Sequence, residues 1–216
     1  MQARDKTVWA AVGVITLAGA MASSQVGKLP PALPLMREEL GFGLIAGGFV
    51  LSLFNVLGMS IAVLFGGLAD RLGRARMVAM GFALIVLGCA MGALAPGLAV
   101  LMASRLVEGV GFVAVTVALP YAMVAASVPR DQGMTLGIWS IYHPMGMALT
   151  MLAAPLLLQA FGWRGMWWLL AALCPLVAWA VLRQMRRLDL PPPSRAPILP
   201  LALEALKVRG FQLVAL

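Results

Sequence analysis

Charge is what this sequence has least of. Only 11% of its 216 residues are charged, and residues 43–65 and 78–95 carry no charged side chain at all. Histidine occurs once, as His143, and cysteine twice, as Cys89 and Cys174. A metal centre needs several His, Cys or acidic ligands, so no metal and no metal-dependent chemistry is expected, and no other cofactor is implied. Two cysteines inside apolar runs suit packing and not a disulfide framework. No glycine-rich phosphate-binding loop ending in Gly-Lys-Ser/Thr occurs, which excludes ATP drive from this chain. Sixteen basic residues against eight acidic ones give a net charge of +8. That balance would suit nucleic acid, but the bases lie in links between apolar runs, so no nucleic-acid partner is expected.

What remains is apolar. Hydrophobic residues make up 62% of the chain and the mean hydropathy is +0.96. A water-soluble core of this size does not need so much apolar surface, so the lipid bilayer is the expected solvent. A helix crosses the ~30 Å hydrocarbon core with ~20 residues. On that measure the sequence predicts an all-α membrane protein: a bundle of six spans near 8–28, 43–65, 77–95, 98–121, 133–158 and 165–182, within a domain covering 1–182. A basic, proline-rich stretch, 183–210, reads as a cytoplasmic linker. FQLVAL, residues 211–216, reads as the start of a seventh span.

The bases set an orientation. Twelve of them (Arg4, Lys6, Arg71, Arg74, Arg76, Arg130, Arg183, Arg186, Arg187, Arg195, Lys207 and Arg209) fall on one side of this layout. Lys28, Arg37 and Arg164 fall on the other, and Arg105 within a span. The amino terminus is therefore expected in the cytoplasm. Arg4 and Lys6 followed by a short apolar run and Ala18-Gly19-Ala20 also fit a secretory signal peptide, which is the alternative to a retained first span.

The links carry the punctuation. KLPPALPLMREELGF, residues 28–42, is expected to be an external loop, because Pro30, Pro31 and Pro34 interrupt a regular helix. Ala95-Pro96-Gly97 makes a short external turn, and VPRDQG, 128–133, a cytoplasmic one. FGWRGMWWLL, 161–170, is the turn into the sixth span, with Trp163, Trp167 and Trp168 as an interfacial aromatic belt. GGLADRLGRARM, 66–77, is a tight basic hairpin in which Gly66, Gly67 and Gly73 let the backbone bend and approach closely. Asp70 is its one acid, among Arg71, Arg74 and Arg76.

Polar groups inside spans are costly and mark sites. Arg105 and Glu108 stand three residues apart on one helical face. They either neutralise one another and lock packing or handle substrate and protons. With Gln25, Lys28, Asn55, Tyr121, Tyr142 and His143 they are the candidates for a substrate cavity, Lys28 and Arg105 supplying positive potential for an anion. Pro144 permits a kink beside His143. Gly88-x-x-x-Gly92 is expected to make a close helix contact.

The 66–77 hairpin resembles the loop signature of the major facilitator superfamily, G-x-L-A-D-R-x-G-R-[KR], at Gly66, Leu68, Ala69, Asp70, Arg71, Gly73 and Arg74. Ala75 departs from it, with Arg76 one residue on. Arg105, Gly109 and Gly111 resemble the R-x-x-x-G-x-G of the fourth span, and Gly162-Trp163-Arg164 the G-W-R turn. Gln132 stands where relatives often have Arg, with Arg130 close by.

The resemblance implies a secondary transporter in which these six spans, as two inverted three-helix repeats, form the amino-terminal half of a twelve-span fold. It implies a midplane site for a small molecule, a gating role for the Gly66, Gly67, Asp70, Arg71, Gly73 and Arg74 loop, and a bacterial inner membrane. A half of this kind needs a second six-span bundle, separate or another copy, and a non-transporting half-carrier fragment is the first alternative. KLPPALPLMREELG, SLFN, VALP and LGIWSIYHPMGMAL resemble more narrowly the cyanate-permease branch, which includes nitroimidazole transporters, and imply a small anion or small polar organic compound. An enzyme is not expected. A six-span intramembrane protease of the rhomboid type is the remote alternative, and the chain has no Gly-x-Ser-Gly for its nucleophile.

Overall fold

A computed structural model describes residues 6–188 and 190, without the side chains of 55–64. The expected linker beyond residue 190 and the start of a seventh span lie outside the described residues. Where water is absent, every backbone N–H and C=O must be satisfied within its own segment, and helices do this. The described residues form helices and no strand. These are α1 (Trp9–Gly27), α2 (Leu29–Leu40), α3 (Leu44–Leu72), α4 (Arg74–Ala93), α5 (Leu98–Ala125), α6 (Gln132–Ser140) and α7 (Tyr142–Met185), with a 3-10 turn at Pro129–Asp131.

The chain turns back where a left-handed backbone permits it, at Gly41 (φ 68°), Gly73 (φ 87°) and Gly162 (φ 66°). Gly162 matters most, because it breaks a 44-residue helix. The packing shows α7 to be two antiparallel legs. Gly146, before the break, sits against Ala20, and Cys174, after it, reaches Gln25. Residues 146 and 174 would stand ~42 Å apart on a straight helix, whereas Ala20 and Gln25 are ~7.5 Å apart along α1. Six crossings result: α1 with α2, α3, α4, α5, α6 with the first leg of α7, and the second leg.

Three expectations are corrected. Residues 28–42 are not an external loop. Lys28 has helical angles (φ −70°, ψ −27°) and joins α1 end to end with α2, so that Trp9–Leu40 is long and apolar enough to span. Pro30 and Pro31 lie in the first turn of α2, where a missing N–H leaves no bond unmade. Only Pro34 interrupts the ladder. Second, the 66–77 hairpin turns at Gly73 alone, since Gly66 and Gly67 continue α3 and a methyl on Gly66 would meet nothing within 4 Å. Third, Trp163 and Trp167 are buried, and only Trp168, 45% exposed, faces outward as a belt residue would.

Close approach of helices is built on other glycines. A methyl on Gly111 of α5 would lie 2.5 Å from the Gly81 carbonyl oxygen of α4, and one on Gly88 would lie 2.8 Å from the Glu108 backbone nitrogen. Gly27 meets the Met147 backbone in the same way, fastening α1 to α7. Between these contacts Ile15, Phe82, Ile85, Leu101, Leu119 and Val181 fill the core.

This packing makes a direct prediction. Gly88→Ala must push Glu108 and α5 away, and overpacking of this kind costs about 1–3 kcal/mol. Gly13→Ala, where nothing lies within 4 Å, serves as the control. Thermal unfolding in detergent should show a lowered midpoint for Gly88→Ala alone; equal midpoints would refute the α4–α5 contact.

Candidate functional site

The continuous α1–α2 rod brings Lys28 to the centre of the bundle. Lys28, Arg105 and Glu108 are all buried, at 0%, 1% and 0% exposure. Lys28 Nζ lies 2.9 Å from Glu108 Oε1, and Arg105 pairs with the other carboxylate oxygen, Oε2. One carboxylate thus holds two cations, one on each oxygen. Lys28 Nζ also donates to Gln25 Oε1 at 2.7 Å and to Cys89 Sγ at 3.2 Å, and sits 4.3 Å from the centroid of the Trp167 ring. Arg105 donates a second bond to the Gln25 carbonyl oxygen at 2.9 Å.

Gln25 is the hub. Its side-chain oxygen accepts from Lys28 and from the Cys89 thiol at 3.1 Å, and its Nε2 reaches Ser24 Oγ at 3.2 Å and Cys174 Sγ at 3.9 Å. Glycines make room for all this. Gly88 lies against Glu108 and Ser104, and Gly92 against Trp167, so the expected Gly88–Gly92 contact is the floor of the charged cluster. Among the described residues, two N–H groups here have no acceptor, Arg105 Nε and Trp167 Nε1.

A row of rings leads from Arg105 across four helices. The Arg105 guanidinium lies 4.8 Å from the Phe54 centroid on α3, and Phe54 is 5.2 Å from Phe112 on α5. Phe112 is 6.0 Å from His143 on α7, which is 5.9 Å from Tyr142, which stacks on Trp139 of α6 at 4.2 Å. Phe54 is 2% exposed, while Phe112, Tyr142 and His143 are half-buried. His143 Nδ1 lies 3.2 Å from Ser23 Oγ of α1.

The two ends of α4 are clasped differently. At its start, Arg74 pairs with Asp70 at 2.8 Å, and its guanidinium covers the Tyr121 ring at 3.8 Å. At its end, Arg164 donates to the carbonyl oxygens of Ala93 and Ala95 at 2.6 and 2.9 Å and to Glu39 at 2.9 Å. Glu39 also accepts from Trp163 Nε1 at 2.5 Å. Arg130 is exposed and pairs with its neighbour Asp131 at 3.7 Å, which in turn accepts from Thr7.

Of the candidate cavity residues, the structure brings Gln25, Lys28, Arg105 and Glu108 into one cluster. Tyr142 and His143 lie at the far end of the ring row, and Tyr121 lies with the Asp70–Arg74 pair. The side chain of Asn55 lies outside the described residues. Sequence reasoning missed the shells: Phe54 and Phe112, Trp167, and both cysteines as partners of the cluster. No spacing marks such residues, because they come from four helices, α3, α4, α5 and α7.

Comparison with known proteins agrees with this architecture. The family model described as Major Facilitator Superfamily matches residues 12–215. Among similar proteins, the Multidrug resistance protein Stp of Mycobacterium tuberculosis is 31% identical over 140 residues, covering 63% of this chain and 26% of that protein. The Puromycin resistance protein pur8 of Streptomyces alboniger is 28% identical over 152 residues, 70% of this chain and 30% of that protein. The Uncharacterized MFS-type transporter YhhS of Salmonella enteritidis is 28% identical over 192 residues, 89% of this chain and 46% of that protein. The chain thus spans between about a quarter and a half of these relatives. With its helical half-bundle, buried fourth-span arginine and Asp70–Arg74 turn, the chain is an integral membrane protein and belongs to the major facilitator superfamily.

Proposed function

We propose that this chain forms the amino-terminal half of a secondary transporter that moves a small anion, or a small polar organic compound such as cyanate, by alternating access. The observation that carries the reading is the sign of the buried cluster. Lys28 and Arg105 bring two positive charges and Glu108 one negative, and Arg105 Nε has no acceptor among the described residues. A charge at bilayer depth costs at least ~2.5–3.5 kcal/mol on insertion scales. An anion that offsets the excess is bound by relieving that cost. The stretches similar to the cyanate-permease branch support the same substrate class.

The resistance proteins among the relatives favour a second reading, export of drug-sized molecules. A cationic drug would meet like charge at Arg105, so the anion is preferred. Covalent chemistry has no part in either reading. The substrate would sit near the midplane between this bundle and a second six-span half or another copy. The Asp70–Arg74–Tyr121 contact would gate the cytoplasmic side, in a bacterial inner membrane with the amino terminus inside. Corrected for buried Lys28, twelve bases against two still support that orientation.

Charge bookkeeping tests the reading directly. Lys28→Met leaves Arg105 and Glu108 as a neutral pair, and anion affinity for formate or cyanate should fall at least ~10-fold, about 1.4 kcal/mol. Lys28→Met with Glu108→Gln restores the single excess charge and should recover most of the loss. A double variant that folds yet binds no better than Lys28→Met would sink the anion reading. If Glu108 carries a coupled proton, Glu108→Gln alone keeps substrate exchange and loses pH-driven accumulation; unaltered accumulation would make the pair structural.

Orientation is checked by labelling single cysteines at Arg74 and at Leu40 in a cysteine-free background. Position 40 should react from outside intact cells and position 74 should not. In the transporting protein, Asp70→Asn should slow turnover and leave equilibrium binding within a few-fold; a large loss of binding with normal cycling would contradict a gating role.

A further inference from the structure

Among the described residues, Arg105 is the member of the charged cluster that also meets the ring row. Lys28 faces Cys89 and Trp167, on α4 and the second leg of α7. Arg105 instead lays its guanidinium face on Phe54. The rings then pass through Phe112 and His143 to Tyr142, contributed by α3, α5 and the first leg of α7. Their exposure rises along the way, from 2% at Phe54 to the half-buried Phe112, His143 and Tyr142. The row therefore runs from the accessible side of the bundle inward to a buried cation with an unused N–H.

We propose that this row is a subsite for a planar organic anion, with a carboxylate or similar group directed at Arg105 and a flat π-system against Phe112 and His143. The proposal rests on the anion reading above and narrows it. Phe54 acts as a placeholder: the ligand's ring takes its place in the row against Phe112, and the anionic group meets the edge of the Arg105 guanidinium. The cation–π contact with Phe54 is given up. In exchange the anionic group offers Arg105 Nε the acceptor that Phe54 cannot. Aromatic pairs at these tilts and separations are favourable in their own right. A small aliphatic anion would satisfy the charge and leave the rings unused. A neutral aromatic would satisfy the rings and leave the charge.

Four probes separate these contributions: benzoate, cyclohexanecarboxylate, benzamide and acetate, titrated by ligand-detected NMR against the purified chain in nanodiscs, with empty nanodiscs as the blank. Benzoate should bind about 3- to 10-fold more tightly than cyclohexanecarboxylate, from the aromatic contact alone, and more tightly than benzamide by a larger factor. Phe112→Leu should erase the preference for benzoate over cyclohexanecarboxylate and leave acetate unchanged. Phe54→Leu should act in the opposite sense, keeping or raising benzoate affinity.

Benzoate and cyclohexanecarboxylate binding equally would overturn the ring subsite while the anion reading stands. Benzamide equal to benzoate would overturn the role of Arg105, and with it the anion reading. No binding of any anion would overturn both. Parallel losses in Phe54→Leu and Phe112→Leu, with unfolding midpoints unchanged, would overturn the placeholder. The comparison among the four probes uses the unaltered chain, so it holds even if a variant fails to fold.

Discussion

Everything in this bundle is arranged around one buried carboxylate. Glu108 lies in a medium that cannot solvate it, and it is held by a cation on each oxygen, Lys28 from the α1–α2 rod and Arg105 from its own helix. Removing one partner of a buried pair typically costs about 3–5 kcal/mol, because the other charge is left exposed to low dielectric. The cluster therefore fixes where five segments must be. Cys89 belongs to α4, Trp167 and Cys174 to the second leg of α7, and Phe54 to α3.

The same carboxylate explains the glycines. A methyl on Gly88 would stand 2.5 Å from Glu108 Cγ, and one on Gly92 2.7 Å from Trp167 Nε1. Those contacts exist because α4 comes close enough to seal the charges from lipid. Small residues at helix interfaces are usually read as a packing motif; here they are also electrostatic, since they set how much low-dielectric material surrounds the ion pairs. The α1–α2 continuity follows from the same demand.

The parts of the fold legible in the sequence are those fixed by local composition. Uncharged runs gave the crossings of α3 and α4, and Ala95-Pro96-Gly97 gave the turn between α4 and α5. The first rod was misread because Pro30 and Pro31 were weighed as breakers, when at a helix start they break nothing. The tryptophans were misread for a related reason. Trp-rich turns suit an interface, but Trp167 is one turn into the second leg and faces Lys28. Arg105 and Glu108 stood out because charge inside an apolar run is rare in itself. Their third partner did not, because only the full rod length places Lys28 at their depth, and the rings did not, because each comes from a separate segment.

The two ends of α4 repeat one chemical device. Asp70, Arg74 and Tyr121 at its start correspond in kind to Glu39, Arg164 and Trp163 at its end: an acid, an arginine and an aromatic face. They differ in what the arginine does with its remaining donors. Arg164 spends two on the carbonyl oxygens of Ala93 and Ala95, satisfying a helix end that would otherwise be left open. Among the described residues Arg74 has no such backbone partner, and its Nε has no acceptor. The Arg164 clasp is thus anchored to main chain and ties α2, α4 and α7 together. The Arg74 clasp is held by one carboxylate, itself 44% exposed, and one ring. If an end of this bundle has to release and re-form contacts, the side-chain-only clasp at Arg74 is the one that can do so without leaving a helix terminus unsatisfied.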